Sequence, residues 1–179
     1  MRAIGFHGTS IERAERILVA GFQISRNDWD WLGDGAYFFQ DGRARAAEWA
    51  RERFGNQAAV VGAEIELDGC IDLLDITWER VLANAHARYV EQLALTGAPL
   101  PAQTRGAHRL ARHVLNYLAG RMAEDGMLVR TVRAAFAEGE PIYPGSALLS
   151  RSHVQIAVRD LSAIVRAWRV NEEDLDARS

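Results

Sequence analysis

The spacing of apolar residues changes twice along this chain, and that order limits the fold more than any other feature. Short alternating runs and one helix-period segment come first, then a long block at helical period, then alternating runs again. A regular strand-helix alternation is excluded, and an α+β architecture is predicted over a doubly wound parallel sheet. In detail, a strand over residues 2–6 delivers His7 at its end. A helix follows over 11–20, with Ser10 as N-cap, Gly21 as C′ residue and Ile11, Ala14, Ile17 and Leu18 on its buried face. Residues 23–35 carry glycine, aspartate and asparagine without a period and read as a long loop. Its Trp29 and Trp31 are expected to fold back on the body or over a ligand. A strand over 36–39 and a helix to about 54, capped by Asp41 and ended by Gly55-Asn56, come next.

Residues 59–67 alternate as a strand, and Gly69 separates them from a second run at 70–74. Two amphipathic helices, 78–95 and 108–123, then form a helical insert over about 76–125. The chain returns to strands over 127–136, 153–159 and 163–170, with a Gly-, Pro- and Ser-rich loop over 137–151 between the first two. The polar stretch 171–179 is expected to fray.

At 179 residues and 49% hydrophobic content, residues 1–179 read as one domain with a core that needs neither disulfide nor metal. The net charge of -3 gives no basic excess for non-specific binding to nucleic acid. The one cysteine, Cys70, sits in a strand-like run and reads as an inert thiol in a reducing compartment. No signal-like start and no apolar run near ~18 residues is visible, so a soluble cytoplasmic protein without membrane partner is expected. His108 and His113 are five apart on a helix and do not share a face, so no metal is expected.

The residues with chemistry in them lie early. His7-Gly8-Thr9 puts an imidazole, an open backbone amide and a hydroxyl at one spot, directly before a capped helix. About thirty residues on, Leu32-Gly33-Asp34-Gly35-Ala36-Tyr37-Phe38-Phe39 is glycine-rich and then aromatic, and the helix after it bears Trp49. Gly33-x-Gly35 lacks the third glycine and the preceding strand of a dinucleotide fingerprint. Arg105, His108, Arg109, Arg112, His113 and Arg121 form the main basic cluster, read as a solvated helix face or a guide for a nucleotide or nucleic acid. Asp28, Asp30 and Asp34 read as turn formers.

Over residues 4–50 this arrangement resembles the His-Tyr-(Glu/Gln) clade of ADP-ribosyltransferases, which includes the poly(ADP-ribose) polymerases and related bacterial enzymes. The resemblance implies split antiparallel sheets around an NAD+ cleft, with NAD+ as co-substrate. It further implies that His7 bonds the adenosine ribose, Gly8 clamps the nicotinamide carboxamide, and Tyr37 and Trp49 sandwich the nicotinamide ring. Thr9, Arg13, Gly35 and Phe38 join the NAD+-binding set. Ala46 stands where the family commonly has a carboxamide-binding serine. On the late strand, Gln155 in Ser152-His153-Val154-Gln155 stands where a catalytic glutamate is expected, and residues 141–146 match the target-facing loop.

The expected activity is transfer of one ADP-ribose unit, with His7, Tyr37 and Gln155 as catalytic residues and nicotinamide as leaving group. The acceptor is left as protein, nucleic acid or small molecule. A toxin or effector role would bring an antitoxin or other regulatory partner. Because Gln155 is neutral, a silent NAD+ or ADP-ribose binding module is a second reading. A third is transfer onto an RNA phosphate as in the related 2′-phosphotransferases, for which Arg13, Arg16 and Arg26 are the arginines early enough to serve.

Overall fold

The computed structural model of the chain describes residues 1–104 and 107–171. Arg105 of the basic cluster and the expected fraying of 172–179 lie outside the described residues. Among the described residues the architecture is α+β: seven strands in one sheet, ordered β4-β5-β6-β2-β1-β3-β7, with four α-helices.

The first strand, β1 (Arg2–Ser10), does not stop at His7. It pairs with β3 (Ala58–Glu66) along its whole length, including His7↔Val61, Gly8↔Val60 and Thr9↔Ala59. His7 therefore sits within a paired strand, held on a rigid element. Helix α1 (Ile11–Ala20) begins as its sequence dictates: the Ser10 side chain accepts from Arg13 N at 3.3 Å, and Gly21, at φ 85°, returns its N–H to Ile17. Ile11, Ala14 and Ile17 pack inward, whereas Leu18 is exposed.

Strand β2 (Ala36–Gln40) pairs over its full length with β6 (His153–Val158). Helix α2 (Arg43–Phe54) then starts from Gly42, with no side-chain cap. Asp41 is not the cap because its backbone turns through φ 53°, a left-handed position that is tolerated by a short polar residue. Strand β5 (Thr131–Phe136) is shorter than expected, since residues 127–130 lie outside the ladder. Strand β7 (Ile164–Arg169) closes the far edge on β3.

One pair departs from the antiparallel expectation. Strand β4 (Cys70–Asp72) runs parallel to β5. A parallel pair needs a long crossover, and α3 (Thr77–Thr96) with α4 (Arg109–Glu124) supplies it. The two helices are thus the connection this sheet requires rather than an addition to it.

Strand alternation explains where the helices sit. Tyr37 and Phe39 point to the same side of β2. Tyr37 packs into the cluster of Leu32, Ile71, Leu115, Leu118 and Val132 beneath α4. Phe39 packs with Ala46, Ala47 and Val60 beneath α2. So α2 and the α3-α4 pair cover one face of the sheet at opposite ends, and Phe38 joins the α1 core on the other face. Among the described residues no helix is long and apolar enough to cross a membrane.

Candidate functional site

Between α2 and α4 the sheet opens. Strands β1 and β2 share only the pairs Gly5↔Gln40 and Phe6↔Phe39. Beyond them β1 follows β3, and β2 follows β6. The gap is a cleft of about 510 Å³, and His7, Gly8, Thr9, Tyr37, Trp49 and Gln155 line it. Residues up to 148 positions apart in sequence thereby meet at one split in the sheet.

His7 bridges that split. Its Nδ1 lies 2.8 Å from the Tyr37 carbonyl oxygen. A carbonyl only accepts, so Nδ1 carries the proton and Nε2 is left as an acceptor. Burial is the largest influence on this ring and pushes its pKa below the ordinary 6.5; the nearby Arg13 acts in the same direction. His153 is lowered as well, again chiefly by burial. The unfolded chain therefore binds protons before the folded one does, and stability is lost as pH falls below about 6.5. Urea unfolding should show a lower midpoint at pH 5.5 than at pH 7.5, with a smaller difference in His7→Gln. Identical midpoints for the native chain would exclude this reading of the two rings.

Gly8 has two jobs to meet. A Cβ built there would collide with the Ala46 backbone carbonyl and stand 3.1 Å from Trp49. The missing side chain lets α2 settle against β1 and sets Trp49 over the cleft. Ala46 is itself fully buried and contributes packing in place of a ligand-binding hydroxyl. Gly8→Ala should cost about 1–3 kcal/mol, because backbone cannot step aside as a side-chain tip can. A thermal melt within 1 °C of the parent would contradict this.

Tyr37 and Trp49 come from the two flanking cores, Tyr37 from the α4 side and Trp49 from the α2 side. The Tyr37 hydroxyl is fully engaged: it accepts from Leu32 N at 2.9 Å and donates to Gly33 O at 2.8 Å. Burial raises its pKa further, so the phenol stays neutral and offers its ring to a ligand. Phe38 touches the cleft but is 1% exposed and belongs to the core. Gly35 is not in the cleft. It bridges Ser25, and a Cβ there would crowd β6 at Val158 O and Ala157, so its role is close strand packing.

Gln155 is held in a chain of hydrogen bonds. The indole Nε1–H of Trp31 donates to Gln155 Oε1 at 2.6 Å. Gln155 Nε2 donates to His153 Nε2 at 2.9 Å, and His153 Nδ1–H donates to Arg151 O at 2.6 Å. An indole only donates and the Arg151 carbonyl only accepts, so every proton in the chain has one consistent place. Trp31 also packs on Phe136, 4.8 Å between ring centroids, while Trp29 is 56% exposed at the cleft.

At the rim, the Arg13 guanidinium stands over the Phe54 ring at 5.7 Å and Arg53 over the Trp49 ring at 5.7 Å. Among the described residues no carboxylate pairs with either, and both face the cleft. Of the other early arginines, Arg16 pairs with Glu12 and Arg26 with Asp34, and neither lines it.

Of the described members of the basic cluster, the two arginines in the first turn of α4 are spent internally. Arg109 pairs with Asp28 at 2.6 Å and Arg112 with Asp34 at 2.9 Å, tying the loop before β2 onto α4. His113 stacks on Tyr89, while His108 precedes α4 and reaches the cleft. Asp28 and Asp34 are thus anchors, and Asp30 is the turn former, accepting from Ser25 Oγ and Asn27 N. Cys70 is half-buried, and burial raises its thiol pKa, against what a nucleophile needs.

Sequence reading missed Arg45, Arg53, Phe136, Glu138 and His153. For the first two a signal was present, since Arg45, Trp49 and Arg53 recur every four residues on one face of α2. For Glu138 there was none, because its place depends on how the loop after β5 folds back. No family model and no curated protein matches the chain, so its resemblance rests on the residues named above.

Proposed function

We propose that the chain binds NAD+ in this cleft and transfers one ADP-ribose unit from it, releasing nicotinamide. The observation that carries the reading is the meeting of His7, Gly8, Tyr37, Trp49 and Gln155 where β1 and β2 part. The chemistry of the lining agrees with the ligand. Two aromatic faces suit a flat nicotinamide ring, the free Nε2 of His7 suits a ribose hydroxyl, and the unpaired Arg13 and Arg53 suit a diphosphate. Holding the ribose between fixed groups supplies most of the rate through orientation.

A second reading keeps the binding and drops the reaction. It is favoured by the Gln155 amide, which is neutral and already bonded at both ends. Calorimetry with NAD+ and release of labelled nicotinamide separate the two. Binding with turnover, weakened about tenfold or more in Trp49→Ala through lost stacking and in His7→Ala, supports the transferase. Binding without turnover supports the module. Absence of NAD+ binding by the native chain would end both.

A further inference from the structure

We infer that Glu138 is the carboxylate that serves the reacting ribose, in the role Gln155 cannot fill; the inference rests on the transferase reading. Two carboxylates among the described residues line the cleft, Asp30 and Glu138. Asp30 is 5% exposed, and its Oδ2 is committed to Ser25 and Asn27 inside the loop. Glu138 is different. Its side chain is 35% exposed, and Oε2 accepts from Arg45 Nη2 at 2.8 Å. The other oxygen, Oε1, has no partner among the described residues.

Its position follows from the strand ends. Phe136, the last residue of β5, pairs with His153, and Ala134 pairs with Gln155. Two residues past that strand end, Glu138 stands 3.9 Å from His153 Nδ1, while His153 Nε2 touches the Gln155 amide. The carboxylate thus lies beside the Gln155 end of the cleft. Arg45 fixes it there: this guanidinium is 12% exposed and lies 5.2 Å above the Phe39 ring. Its Nη1 is 3.3 Å from Glu48 without the angle of a hydrogen bond, and its Nε has no acceptor. This buried guanidinium, packed on Phe39, holds Glu138 through Oε2 and leaves Oε1 without a partner among the described residues, so the carboxylate is positioned before any ligand arrives.

With water as acceptor the step balances. The water oxygen forms the bond to C1′ of the ribose, and the C1′–N bond breaks with its electron pair passing to nicotinamide. The proton lost by water goes to Glu138 and then to solvent. Before that transfer the carboxylate charge stabilises the cationic ribose.

The test uses the full chain, labelled NAD+, and nicotinamide release read beside calorimetric NAD+ binding. Glu138→Gln keeps the bond to Arg45 and removes the charge. It should bind NAD+ within about twofold of the parent while release falls about 100-fold or more. Glu138→Asp keeps the charge one methylene back and should run at least about tenfold faster than Glu138→Gln, with an unchanged thermal midpoint. Release by Glu138→Gln within threefold of the parent overturns the inference alone. So does equal slowing of both variants, or loss of NAD+ binding in step with activity, since either assigns Glu138 to holding Arg45. Failure of the parent to bind or turn over NAD+ overturns the transferase reading and this inference with it.

Discussion

Asp34→Ala should destabilise the fold by about 2 to 4 kcal/mol and, on the proposed reading, weaken NAD+ binding in the cleft. Asp34 Oδ1 accepts from Arg112 Nε at 3.0 Å and Asn116 Nδ2 at 2.8 Å, and Arg112 Nη2 lies 2.9 Å from the same oxygen as an ion pair. The Asp34 backbone N–H donates back to Asn116 Oδ1, which also accepts from Arg159 Nη1 at 2.7 Å. Removing the carboxylate leaves the Arg112 cation, 15% exposed, without its ion-pair partner and with Asp30 as a nearby remaining acid. Breaking a wholly buried pair costs about 3–5 kcal/mol, and partial solvation here trims that. The loop from Ser25 to Gly35 would then lose its Arg112 tie to α4 and keep the one at Asp28, which loosens Trp31, the donor that orients Gln155. Urea unfolding gives the energy, and trypsin cleavage at Arg26 reports the loop. A loss under 1 kcal/mol with unchanged cleavage would show that Arg109 and Asp28 alone hold it. Asp34→Asn, which keeps an acceptor oxygen, should lie between.

Local signals in the sequence carried the framework, and contacts across the sheet carried what it hid. Ser10 and Gly21 bound α1 as a cap and a C′ residue should, because both effects act within a turn. His7, Tyr37, Trp49 and Gln155 were legible as candidates and do share a cleft. What failed was long-range. Nothing local says that β1 continues past His7, since that depends on β3 lying alongside. The aspartates of the loop look like turn formers until α4 brings Arg109 and Arg112 against them. Asp41 is a good cap by type, yet the chain uses it for a left-handed turn and starts α2 at Gly42. The parallel β4-β5 pair was invisible for the same reason, as strand direction is decided by the crossover and leaves little mark on a three-residue run.

On the proposed transferase reading Gln155→Glu should not raise nicotinamide release; it should turn His153 into a cation and invert that ring's contribution to the pH dependence of stability. In the parent, His153 Nε2 accepts from the Gln155 amide, and burial keeps the ring neutral below its ordinary 6.5. A glutamate would still accept from Trp31 through one oxygen. Its other oxygen would face the Nε2 lone pair, and Nδ1 is already committed to Arg151 O. The contact becomes favourable only if Nε2 gains a proton, which should lift the His153 pKa above its ordinary 6.5. With the folded pKa raised, the pair contributes stability that is fully present below about 6.5 and is lost as pH rises through the raised value. In the parent the same ring contributes stability that is lost as pH falls below about 6.5, so the two His153 contributions slope in opposite directions. The new carboxylate, neutralised by an imidazolium against it, would add little field at the ribose that the proposed reading places there, so nicotinamide release should not rise. NMR titration of His153 and urea midpoints at pH 6 and 9 decide the matter. A His153 pKa still below 6.5 in the variant would mean that the carboxylate has left the chain of bonds, and that Trp31 and His153 do not dictate an amide at position 155.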